Sequence, residues 1–262
     1  MLGAIIGDIV GSRFEGMPIK TKAFDFFDKS CHCTDDSIMT LAIASALMAF
    51  KKNDCKNLAY FAIRNMKILG HAYPNAGYGI SFGNWLRNEN PQPYHSCGNG
   101  SAMRVSPCGF IATSLDEVKK LSFEVTFVTH NHLEGIKGAE ATAVAVFLSR
   151  QGNTKEEIKN YIYENYYPID FTLNEVRDKY RFDETCQKTV PYALEAFFEA
   201  ENYEDAIRNA ISLGGDSDTL AAITGGIAEA YFGIPNQIKE QAFSYLDKYQ
   251  KTILHDFYEL LI

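Results

Sequence analysis

The sequence predicts an all-α fold on three observations. Apolar residues recur at helical spacing through most of the chain. No segment is rich in strand signals. No repeat, low-complexity tract or linker divides residues 1–262, so a single helical domain is the economical reading.

The elements follow in order. Residues 2–12 read as a helix of small apolar residues, and 18–33, aromatic and basic, as a loop over a site. Residues 35–52 carry Ile38, Leu41, Ala42, Ser45 and Leu47 at helical spacing. A helix over 55–70 repeats the pattern with Leu58, Phe61, Ala62, Met66 and Leu69, and Gly70 is placed to cap its end. From His71 to Pro107 glycine and proline dominate, yet Tyr73, Tyr78, Phe82, Trp85 and Tyr94 are too aromatic for a disordered linker. A short helix is expected there over 80–88. Helices resume over 115–129, 132–151, 154–167, 186–200, 203–213, 217–233 and 235–261. Asn153-Thr154 with Glu156-Glu157, and Asn202 with Asp205, supply helix-entry chemistry.

A chain of 262 residues, 46% of them hydrophobic, can bury a large core. Its net charge of −8 and lack of a basic stripe exclude a general nucleic-acid-binding surface. No apolar run is long enough to span a membrane, and Asp8 interrupts the apolar start, which has no basic flank. A cytoplasmic protein with free thiols is therefore expected for the six scattered cysteines, and a monomer is the simplest assembly. Cys31-His32-Cys33 has no second Cys/His pair at zinc spacing.

Two acidic clusters stand at helix entrances far apart in the chain. Thr34-Asp35-Asp36 precedes an apolar helix, and Gly214-Gly215-Asp216-Ser217-Asp218-Thr219 precedes a helix of small residues. Gly-Gly permits a sharp turn, and Ser217 or Asp218 is placed to cap the helix that follows. Either cluster alone is accounted for as ordinary capping. Together they offer four carboxylates and two hydroxyls, which without cations would repel one another. Oxygen donors of this kind suit magnesium or manganese.

Other residues bear chemistry. Asp8, in an apolar helix, is expected to be buried and paired or capping. Glu15 either points into a cleft or pairs with Arg13 or a lysine at the surface. The turn Gly98-Asn99-Gly100-Ser101 is either structural or a backbone nest for phosphate. Arg104 is expected to pair with a buried carboxylate such as Asp8. His130 is a candidate ligand contact, and Asn131 beside it a candidate cap.

The set GDIVGSRFEG, TDDS, GNGSAMR, THNH and GGDSDTLAAITGGIAEAYFG, in this order from residue 7 to residue 233, resembles the ADP-ribosylglycohydrolase family. The resemblance implies a compact, orthogonally packed all-α domain with two divalent ions, Mg²⁺ or Mn²⁺. By motif, Thr34, Asp35, Asp36, Asp216, Asp218 and Thr219 would be the metal ligands. Glu15, with Asp36 and Asp218, would serve catalysis. Gly98, Asn99, Gly100, Ser101 and His130 would line a cleft for ADP-ribose, and Tyr78 and Phe82 of the segment GYGISFGNW would contact its adenine or ribose. The implied activity is hydrolysis of the bond between ADP-ribose and an acceptor, with the acceptor set by loops such as 18–33 and 168–185. A non-catalytic ADP-ribose binder and a two-metal phosphohydrolase are the rival readings.

Overall fold

The computed structural model describes residues 1–53 and 57–261. Cys55, expected as a free thiol at the start of a helix over 55–70, lies outside them. Among the described residues there are fourteen α-helices and no strand, with one isolated bridge between Gly98 and Thr185. In order they are α1 Leu2–Gly11, α2 Asp35–Lys52, α3 Leu58–Ala72, α4 Ile80–Arg87, α5 Ser106–Ile111, α6 Leu115–Phe127 and α7 Leu133–Arg150. Then come α8 Lys155–Asn165, α9 Leu173–Val176, α10 Cys186–Phe198, α11 Tyr203–Ser212, α12 Ser217–Phe232, α13 Asn236–Phe243 and α14 Lys248–Glu259. The segment 18–33 is irregular, as its composition predicts.

The packing is built around α12, buried from Ser217 to Ala228 and touched by α1, α11, α10 and α7. Its tightest partner is α1, which is buried throughout. Glycines at every fourth position of α1 make that approach possible. A Cβ on Gly3 would overlap the Gly225 carbonyl, one on Gly7 the Ala221 carbonyl, and one on Gly11 would lie 2.5 Å from the Asp218 Cα. The two backbones run in opposite directions in contact, so the end of α1 lies beside the start of α12. Any larger side chain at these glycines would force the helices apart.

The start of α2 is fastened to the same place by Asp8 of α1. Its carboxylate accepts from Thr34 N (2.9 Å), Thr34 Oγ1 (2.6 Å), Ser37 N (3.0 Å) and Ser37 Oγ. A side chain from one helix thus satisfies the first amides of another, and a negative group at a helix N-terminus is electrostatically favoured.

Several local expectations are corrected. Gly70 is inside α3 and not at its end; a Cβ there would lie 2.7 Å from Leu86, so glycine admits α4 against α3. Residues 235–261 form two helices, because Asp247 and Gln250 make reciprocal capping bonds at 2.9 Å that begin α14 afresh. The residue before α12 is Asp216, and neither Ser217 nor Asp218 caps it. His132, not Asn131, caps α7, its Nδ1 accepting from Glu134 N at 3.1 Å. Asn131 instead accepts from His95 N at 2.7 Å. The buried helix α5, with Pro107 in its first turn, is too short for periodicity to reveal.

Candidate active site

The starts of α2 and α12 and the end of α1 meet at one wall of a cavity of about 720 Å³, a size suited to a small organic ligand. Asp35, Asp36, Asp216, Asp218 and Thr219 line it, with Glu15 on its exposed side. The two acidic clusters, 183 residues apart, are joined by the Thr219 hydroxyl, which donates to Asp36 Oδ2 at 3.2 Å. Carboxylate oxygens of Asp8, Asp36 and Asp218 lie within 4.8 Å of one another, as do those of Glu15, Asp216 and Asp218.

The chain's local chemistry aims these groups. Gly214 and Gly215 both have positive φ, +66° and +72°, conformations that glycine adopts without steric cost. They turn the chain into α12 so that Asp216 and Asp218 face the cavity. Asn99 then anchors Asp216, donating to its Oδ2 at 2.6 Å and to Thr189 Oγ1 at 3.0 Å. Thr34 does not line the cavity; its hydroxyl is committed to Asp8 and accepts from Asp36 N at 3.3 Å. Asp8 was legible only as a buried acid. Its place within the carboxylate cluster depends on the approach of α1 to α12.

Burial dominates the electrostatics. It raises the pKa of Asp36 and Asp218 well above the usual carboxylate value, and the charges of Asp218 on Asp36 and of Asp216 on Asp218 add to the effect. Asp35 is pushed up to about 7, by burial first and then by Asp8 and Asp216. Glu15 is raised by burial and by Asp216 and Asp8. Among the described residues no lysine or arginine pairs with Asp8, Asp36, Asp216 or Asp218. Asp36 Oδ1 is buried with no hydrogen-bond donor. A hard divalent cation supplies the charge and the missing partner that such an oxygen-only cluster lacks, so the residues fit one.

The cavity is also lined by Phe82, His130, Arg104 and the turn Gly98-Asn99-Gly100. The Phe82 ring stacks on Trp85, centroids 5.5 Å apart. Tyr78 packs on Phe82 at 5.6 Å and does not itself line the cavity. Within the turn, Gly98 N donates to Ser96 Oγ at 3.0 Å and Asn99 N to Glu184 O at 2.7 Å. The Ser101 hydroxyl donates inward to Gly135 O at 2.8 Å, away from the cavity. Of the backbone nest, this leaves the Gly100 N–H to face a ligand. Phe182 and Glu184 bring the 168–185 connection to the cavity rim.

Arg104 does not pair with Asp8. It is 1% exposed and donates to Thr129 Oγ1 at 2.7 Å and Val125 O at 3.4 Å. The four hydrogen bonds that Asp8 receives from the start of α2 replace the expected ion pair. Nor does Glu15 pair with Arg13, whose guanidinium reaches Asp28 at 3.9 Å.

Comparison with known proteins agrees along the whole chain. The family model described as ADP-ribosylglycohydrolase matches residues 1–260. The ADP-ribosylarginine hydrolase Tri1 of Pseudomonas putida (strain GB-1) is 27% identical over 93% of this chain and 73% of its own length. The ADP-ribosylhydrolase ARH3 of Homo sapiens is 24% identical over 96% of this chain and 89% of its own. A solved structure titled ADP-ribosylglycohydrolase-related protein complex superposes with a TM-score of 0.71 at 20% identity, covering 100% of this chain and 96% of that one, a likeness of fold.

Proposed function

The chain belongs to the ADP-ribosylglycohydrolase family, and on that premise we propose that it hydrolyses the glycosidic bond between ADP-ribose and an acceptor with the help of two divalent cations. The observation that carries this reading is the convergence of carboxylates from the starts of α2 and α12 on one cavity, with no lysine or arginine among the described residues to pair them and with Asp8 of α1 close to Asp36 and Asp218.

Asp35, Asp36, Asp216 and Asp218, with Thr219, would hold magnesium or manganese; Thr34, which the resemblance adds, lies off the cavity with its hydroxyl on Asp8, and Asp8 and Glu15 stand close enough to extend the set. Such cations, when bound, neutralise the carboxylates, acidify water and orient sugar hydroxyls. The remaining work falls to the chain's own groups. Glu15, whose pKa is raised by burial and by the charges of Asp216 and Asp8, suits a group that gives a proton to the leaving acceptor or orients the incoming water. The carboxylate wall stabilises the positive charge that develops on the ribose as the bond breaks. Phe82 offers a flat apolar face to adenine or ribose. The Gly100 N–H and His130 offer donors to oxygen atoms, so no basic patch is required to receive a diphosphate, in keeping with the net charge of −8.

Incubation with Mg²⁺ or Mn²⁺ and a panel of ADP-ribosylated acceptors, followed by mass spectrometry, tests the reading. Release of free ADP-ribose is expected. Release of AMP or inorganic phosphate would identify a phosphohydrolase instead, and tight binding without release a non-catalytic reader. The rim residues Phe182 and Glu184 make the 168–185 connection the place where acceptor choice is expected to reside.

A further inference from the structure

Arg104 heads the largest fully buried side chains of the described residues, and it has no carboxylate partner. Its Nη2 donates to Thr129 Oγ1 at 2.7 Å, and its Nε has no acceptor. The Thr129 hydroxyl in turn lies 2.7 Å from His130 Nδ1. A hydroxyl has one proton to give. The other acceptor near it among the described residues, the Thr126 carbonyl at 3.4 Å, already receives the Thr129 amide at 3.1 Å and the His130 amide at 2.9 Å. Arg104 is a donor only, so it takes an oxygen lone pair of Thr129 and leaves the proton.

The hydroxyl proton goes to the nearer acceptor, Nδ1 at 2.7 Å, rather than to the Thr126 carbonyl at 3.4 Å. Thr129 donates to Nδ1, and in the neutral ring the hydrogen must then sit on Nε2. A second proton on Nδ1 would face the hydroxyl proton. Burial, and then the Arg104 charge, also hold the His130 pKa well below its ordinary value. Nε2 hangs over the Gly98–Gly100 turn: a Cβ on either glycine would stand 3.6 Å from it. It has no hydrogen-bond partner among the described residues and faces the cavity.

We infer that Arg104 and Thr129 are positioning residues that lock His130 as a neutral Nε2–H donor, aimed beside the Gly100 N–H at an oxygen acceptor of the bound ligand. The inference rests on the reading of this cavity as an ADP-ribose site. It also means that His130 does not act as a base toward the ligand, because the nitrogen that faces the ligand already carries its proton. Proton acceptance is left to the carboxylate wall.

The test uses the full chain with ¹⁵N-labelled histidine and long-range ¹H–¹⁵N correlation of the imidazoles, with His130 identified by the signals lost in His130→Gln. A protonated Nε2 and a bare Nδ1 are expected with no ligand present. Thr129→Ser keeps the hydroxyl and should keep that signature. Thr129→Val removes it and should mix the two tautomers, and Arg104→Met should do so more than Arg104→Lys. Affinity for ADP-ribose should fall about tenfold in Thr129→Val, the scale for misaligning one hydrogen bond to a charged group, and recover in Thr129→Ser. A wild-type ring protonated on Nδ1, or tautomers unchanged in Thr129→Val, would overturn the inference. A chain that shows the expected tautomer yet fails to bind ADP-ribose would overturn the functional reading and leave the locked tautomer standing.

Discussion

At the scale of single residues, the carboxylates at the helix starts carry the heaviest demands. Asp36 accepts from Thr219 and has one buried oxygen without a donor, and Asp218 belongs to both close carboxylate groups. Asp36→Asn or Asp218→Asn is expected to abolish turnover and weaken cation binding while the helical circular dichroism is unchanged; titration calorimetry with Mn²⁺ and an ADP-ribose release assay check both halves. Glu15→Gln keeps the shape and removes the proton chemistry. Turnover should fall by about 100-fold, the scale for a general acid–base group, with ligand affinity retained. A near-wild-type rate would remove Glu15 from the mechanism.

At the scale of elements, the contact between α1 and α12 decides where these residues sit. Gly7 has the Ala221 carbonyl against it, so even one methyl group must push the helices apart. Gly7→Ala is expected to destabilise the protein by about 1–3 kcal/mol, the usual cost of overpacking. It should also lower activity beyond the loss of folded protein, because Asp8 and Gly11 ride on the same helix as the displaced contact. Thermal melting and specific activity of the folded fraction separate the two effects. The sequence showed α1 and α12 as helices of small residues, and the spacing of Gly3, Gly7 and Gly11 was available as a signal for close approach. It did not say which helix would be approached. The break at Asp247 was written in the chain as a capping pair, yet the apolar pattern on both sides ran over it.

At the scale of the whole molecule, the fold stores a cost that cations would relieve. Asp8, Asp35, Asp36, Asp216 and Asp218 all have folded pKa values above 3.8, Asp35 reaching about 7. Between these values the folded state binds more protons than the unfolded one, so this group's contribution to stability falls as pH rises. In the presence of a chelator, replacing Asp36 and Asp218 together by Asn should therefore stabilise the protein more at about pH 8 than at about pH 5. Added Mg²⁺ or Mn²⁺ should raise the wild-type melting temperature most at the higher pH, where protons compete least. Differential scanning fluorimetry across pH reads both; an equal cation effect at the two ends would count against the carboxylates as the binding site.

Taken by itself, the sequence determined the longer helices, though not the short α5 and α9 or the break before α14, because burial at a period of 3.6 residues and capping side chains are local properties of the chain. It also marked the two acidic clusters, since four carboxylates at apolar helix starts are conspicuous without a fold. Only the tertiary structure decided that Asp8 joins them, that Arg104 turns to Thr129 and not to Asp8, and that the Gly98–Ser101 amides are mostly spent within the protein. Those outcomes depend on which donors and acceptors reach one another across 25 to 117 residues of chain. Hydrogen bonds are settled by distances of a few tenths of an ångström, and no pattern of residue types contains such distances.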